Sequence, residues 1–173
     1  MAIYTHTFLN IITVVGIIDT IILIYISIKA FVSWFTGVSP VLYRLGFGLA
    51  RRKIAIFAKD DNLKSLQSLL VDAKIFNAKN ICEITDVRDI GRAEKASVYL
   101  VYWPDWSDNI KSILDKKPDS CALVIYAPLD KGRIPEDQMK DMDGKRHTAV
   151  SNFRGRLLND IVTSMITTSY EKD

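Results

Sequence analysis

The chain has little of what catalytic and metal sites are usually built from. Two histidines and two cysteines occur in 173 residues. Cys82 and Cys121 each stand alone inside an apolar run, with no CxxC spacing. Thiols so placed read as buried and reduced, and neither a disulfide framework nor a zinc site is expected. There is no GxxxxGK phosphate loop, no nucleophile elbow and no ordered triad. Charge of one sign is also scarce. The net charge is +3, yet from residue 54 onward 18 basic residues face 19 acidic ones. A near-neutral domain offers no broad basic surface for nucleic acid. Residues 1–7 carry no Lys or Arg and no small-residue cleavage pattern follows, so the N-terminal segment does not read as a secretory signal.

What the chain does have is one long apolar run. Residues 8–28 read FLNIITVVGIIDTIILIYISI. At about 1.5 Å per residue this segment covers roughly 30 Å, the hydrocarbon thickness of a bilayer. A single membrane-spanning helix is predicted. Asp19 lies in its middle, where a carboxylate costs several kcal/mol, on the order of 3, unless it is neutral, paired or wet. His6 is the one side chain before the span that can carry positive charge, whereas Lys29, Arg44, Arg51, Arg52 and Lys53 follow it. The positive-inside rule then puts the N-terminus outside and the rest of the chain in the cytoplasm. The expected organisation is an outside tip and span over 1–35, a juxtamembrane connector over 36–52 and a cytoplasmic domain over 53–173. Within the connector, Ser39 followed by Pro40 signals a helix start. Arg44, Arg51, Arg52 and Lys53 are expected to face lipid headgroups.

Beyond the connector, apolar runs alternate with amphipathic ones. Strands are predicted at 53–58, 80–85, 97–103, 121–128 and 147–153. Helices are predicted at 62–76, from a capping Asp86 to 96, at 106–117 and from 154 onward, with a polar loop over 129–146. The runs VYLVY and ALVIY are continuous and apolar, as central parallel strands are. The fold class expected is α/β: a transmembrane helix followed by a five-stranded, parallel, doubly wound domain of the flavodoxin, receiver or TIR type.

In such a domain ligands gather at the carboxyl ends of the strands. The residues there are Asp60, Asp61, Trp103, Asp105, Asn152 and Arg154, a rim suited to a small ligand or a docking protein. The same residues have a plainer use, since Asp61 or Asn62, Asp86, and Ser107 or Asp108 could each cap a helix. A phosphoacceptor receiver needs an acceptor Asp after the third strand and a Lys after the fifth. Trp103-Pro104 and Ser151-Asn152 stand at those positions. A TIR-type NAD hydrolase needs a Glu beyond its third strand, where this chain has Asp105 and Asp108. No catalytic residue, cofactor or metal is assigned. In the span, His6, Thr13, Gly16, Thr20 and Ser27 fall within an arc of roughly 80° at 100° per residue, with Asp19 at its edge. Small and hydroxyl-bearing residues on one face are how membrane helices meet, and self-association is expected.

This layout, one N-terminal span joined to a small cytoplasmic domain with little catalytic equipment, resembles that of prokaryotic membrane effectors of antiviral defence. Across the whole chain, in layout and length, it is similar to the membrane accessory protein of Cas13b-type (type VI-B) CRISPR systems. Effectors gated by cyclic nucleotides share the layout. The resemblance implies a homo-oligomeric, pore-forming or depolarising membrane protein. Its partners would be the lipid bilayer, copies of itself, and a nucleotide second messenger or a CRISPR effector protein. It does not imply RNA cleavage: Asp141 and Lys140 stand ahead of His147 where an Arg-then-His ribonuclease motif would need Arg. Two other functions compete with this one, a membrane-tethered TIR-like nucleotide or NAD hydrolase and a membrane scaffold that recruits a cytoplasmic partner.

Overall fold

A computed structural model describes residues 2–40, 46 and 52–169, with side chains from residue 13 to residue 168 within those limits. The chain divides into two compact units, one N-terminal and one from residue 45 onward. The N-terminal unit is helix α1, Ala2–Gly37, an uninterrupted run of 36 residues. Its stretch Thr13–Gly37 is long and apolar enough to cross a membrane. From Thr13 onward its side chains are exposed all round, so no soluble core claims one face of it. Lys29 folds back toward the N-terminus and holds its Nζ 5.5 Å from the centre of the Tyr25 ring. The chain turns at Val38, and Ser39 and Pro40 open a new helical turn, as their capping chemistry predicts.

The second unit is the expected α/β domain. Five short strands, β1 Ile54–Phe57, β2 Ile81–Ile84, β3 Val98–Tyr102, β4 Ala122–Tyr126 and β5 Thr148–Ser151, form one sheet. All four pairings are parallel and the order is β2-β1-β3-β4-β5, the flavodoxin order. β1, β3 and β4 are buried at every position. Period-two alternation splits their side chains into two cores. Ile54, Ile56, Val98, Leu100 and Val124 face helices α2 (Asp60–Asp72) and α6 (Arg154–Ser169), where Leu66, Leu70, Leu157 and Ile161 meet them. Phe57, Tyr99, Val101, Leu123 and Ile125 face the other side. There they are covered by α3 (Trp103–Trp106), α4 (Ile110–Lys116), α5 (Glu136–Asp143) and a 3-10 helix, Val87–Lys95.

Three segments differ from the sequence prediction. The crossover after Asp86 is a 3-10 helix, because its buried side chains Ile90, Ala93 and Ala96 recur every third residue and match three residues per turn. The segment predicted as a polar loop over 129–146 contains α5. Its signal was present: Pro135 precedes Glu136 and Asp137, an acidic first turn behind a proline. Trp103 leaves β3 and opens α3, because Pro104 cannot donate to a sheet ladder and fits the first helical turn.

On the second face Tyr99, Phe57 and Trp106 pack as an aromatic group, with ring centroids 5.1 Å and 5.4 Å from Phe57. The Tyr99 hydroxyl is buried with no hydrogen-bond partner among the described residues. Burial pushes its pKa up, and the nearby Cys121, Glu94 and Cys82 add to the shift. The fold therefore favours the neutral phenol. An unfolded phenol ionises near pH 10, so this contribution is intact below about pH 10 and is lost as pH rises above it. Tyr99→Phe is expected to leave neutral-pH stability unchanged or raise it by up to about 1 kcal/mol, and to lessen the alkaline loss. Thermal unfolding of the detergent-solubilised chain, followed by Trp fluorescence across alkaline pH, checks both.

Candidate functional site at the strand carboxyl ends

The order 2-1-3-4-5 reverses between β1 and β3, and the crevice beyond their carboxyl ends is where this architecture holds small ligands. Here a side chain bridges the crevice. Asp105, in α3, accepts a hydrogen bond from the Lys59 backbone N–H at 2.7 Å through Oδ2. The Asn62 amide donates to both of its oxygens, at 3.2 Å and 3.3 Å. Asp105 thus satisfies a free donor at the start of α2, a task expected of Asp61 or Asn62. α2 has no side-chain cap of its own. Neither does the turn at Ser107–Asn109, so Ser107 and Asp108 do not cap either. The β1-to-α2 turn is tight enough to hold Asp60 at a φ of +45°, a left-handed conformation that Asp tolerates better than most residues.

The six predicted rim residues do not converge. Asp60 and Asp61 are exposed, and Asp61 pairs with Lys64 at 3.5 Å on the surface of α2. Trp103 is buried in the core and presents nothing to the rim. Arg154, opening α6, clamps α2 by donating to Ser65 Oγ at 2.8 Å and to the Ser65 carbonyl at 2.9 Å. Asn152 lies elsewhere, in a cleft of about 840 Å3 beyond β4 and β5 that Leu129, Arg133, Ile134, Glu136 and Met139 also line. Gly132 enters this cleft with a φ of +129°, a conformation essentially reserved for glycine. Arg133, Glu136 and Met139 escaped the sequence reading because they sit in the segment taken for a loop. The cleft has the size of a small-molecule site, an apolar wall and one side chain of each charge. The switch point proper is occupied by the protein's own hydrogen bonds.

At the end of β2, Asp86 caps the 3-10 helix as predicted, accepting from the Arg88 N–H at 2.9 Å. Arg88 Nε and Nη2 grip its two oxygens at 3.0 Å and 3.1 Å.

The basic connector residues have separate fates. Arg44 and Arg51 lie outside the described residues, as does the side chain of His6. Arg52, expected at headgroups, instead donates to the Met165 carbonyl and to Thr168 Oγ1 in the last turns of α6. Partial burial lowers its pKa. The Met165 carbonyl also accepts from Thr168 Oγ1 at 3.1 Å, so the guanidinium adds a second donor and favourable charge near the helix end. Lys53 is exposed.

Asp105→Ala is expected to destabilise the domain by roughly 1–3 kcal/mol, as loss of a charged acceptor leaves the Lys59 N–H and the Asn62 amide without partners. Asp60→Ala and Asp61→Ala should stay within about 0.5 kcal/mol. Thermal unfolding of the solubilised chain separates them.

The paired hydrogen bonds from the Arg88 side chain, followed by the Arg88 backbone N–H, hold the Asp86 carboxyl down to about 2. A depressed carboxylate pKa contributes stability above its ordinary value near 4. That contribution is lost as pH falls through about 2. An NMR titration of the Asp86 carboxyl should find this low midpoint, and Arg88→Ala should raise it toward 4.

Comparison of the chain with protein-family models, with curated proteins and with solved structures returns no match.

Proposed function

We propose that this protein is a homo-oligomeric effector of the inner membrane, N-terminus outside, that assembles through α1 and opens a conducting path or otherwise depolarises the bilayer. The layout it shares with membrane effectors of antiviral defence sets the biological context. The observation that carries this reading is Asp19. It is exposed on an apolar helix and forms no hydrogen bond or ion pair among the described residues. In a bilayer such a carboxylate calls for a partner helix or water. Assembly supplies either. The hydroxyls of the predicted stripe do not demand it: Thr20 donates to the Gly16 carbonyl at 2.7 Å and Ser27 to the Leu23 carbonyl at 2.8 Å. They are satisfied within their own helix, which leaves a low-polarity face around Gly16, where an added Cβ would meet nothing within 4 Å. A neighbouring helix could pack closely there.

The scaffold function also has an observation in its favour. Leu129 and Phe153 are 66% and 57% exposed at the strand carboxyl ends, and Leu129 borders the large cleft. A cytoplasmic partner would cover them. The hydrolase alternative gains no comparable support, because both oxygens of Asp105 are engaged in holding the fold together.

Gly16→Leu should reduce the particle mass measured by light scattering in mild detergent. Asp19→Asn should keep assembly but weaken cation preference in planar-bilayer conductance, since a carboxylate ring favours cations. Asp19→Leu should abolish depolarisation in cells expressing the chain. Absence of conductance and of depolarisation for the unaltered protein, with the mass of a monomer, would remove the pore and leave the scaffold.

A further inference from the structure

The opposite end of the sheet carries a cluster of basic side chains. Because every strand is parallel, Lys53, Lys79 and Lys95, which precede β1, β2 and β3, are brought to one end. With Arg92 they line a groove of about 380 Å3, whose floor includes Cys82 and whose one acidic side chain is Glu83. Lys53, Lys79, Arg92 and Lys95 are exposed. Arg92 reaches Asp89 at 3.8 Å on the solvent surface, a screened contact that leaves most of its charge available. No salt bridge is formed by the three lysines among the described residues. Four cations around one groove, in a domain otherwise near neutral, are a concentrated anion-attracting patch.

We propose that this groove is a docking surface for anionic phospholipid headgroups. Three observations select that partner. The groove lies at the end where the chain enters the domain, since Lys53 directly precedes β1. Only fifteen residues separate it from Gly37, the last residue of the membrane-crossing stretch. Headgroups are therefore present at high local concentration, as for any tethered ligand. Among the described residues no aromatic side chain lines the groove and offers a nucleotide base a stacking platform, whereas a headgroup phosphate needs none. The interaction extends the lipid contact expected of the juxtamembrane run into the folded domain. It does not depend on the pore.

Cys82 offers a local probe. It is partly exposed in the groove, whereas Cys121 is 1% exposed and serves as an inert control. The full chain would be placed in nanodiscs of phosphatidylcholine, alone or mixed with phosphatidylglycerol, and Cys82 alkylation by an uncharged maleimide timed. The expected result is slower labelling in the anionic discs, by about fivefold for each cation engaged, with the difference removed by Lys79→Glu plus Lys95→Glu. Equal rates in the two lipids would overturn the proposal. So would slowing that survives in the double variant, since it would then reflect surface potential acting on the thiol. A third overturning result is protection in neutral discs by free glycerol phosphate to the same extent, which would make the groove a site for a soluble phosphate. Thermal unfolding of the double variant in neutral discs checks its fold. Should it not fold, Lys79→Gln plus Lys95→Gln, which adds no negative charge, is expected to abolish the lipid difference as well.

Discussion

Two strands with no exposed side chain, Val98–Tyr102 and Ala122–Tyr126, impose the architecture of the domain. A strand that is apolar on both faces needs a helical layer on each side and a hydrogen-bonded neighbour on each edge. β1 and β5 supply the outer neighbours. Right-handed crossovers then distribute the helices to the two faces. Charged side chains are driven to the ends of the sheet or the outer faces of the helices, and the two ends hold the cleft beside Asn152 and the basic groove.

The two ends have used that freedom differently. At the carboxyl end two acidic residues hold turns: Asp105 ties α3 to the start of α2, and Asp86 with Arg88 closes the second crossover. The open volume has moved sideways, to the cleft beyond β4 and β5. At the amino end the side chains of three lysines at successive strand starts form no hydrogen bond or salt bridge among the described residues. An end whose charges are mutually satisfied suits rigidity, and an end whose charges are of one sign suits recognition.

Much of the fold was legible because period and burial agree. VYLVY and ALVIY could only be central strands, and the helix carrying Leu63, Leu66 and Leu70 shows its face in its spacing. The 3-10 crossover was harder to see, since its buried stripe of Ile90, Ala93 and Ala96 differs from an α-helical stripe by one position per turn. The candidate site was less legible still. A carboxylate that binds a ligand and one that binds a backbone N–H look alike in sequence, and only the position of Asn62 and Lys59 decides for Asp105. Arg52 shows the same limit. Its place in a basic run suggested headgroups, while a contact more than a hundred residues away in sequence, at Met165 and Thr168, claims it.

That contact has a mechanical meaning. The connector delivers the chain to β1, which lies between β2 and β3 and is bonded to both. At the same point Arg52 grips the last turns of α6. A pull entering the domain at Arg52 would therefore meet β1 along its length, loading the hydrogen bonds of two neighbouring strands in shear, with α6 sharing the strain. Such an attachment resists peeling one bond at a time.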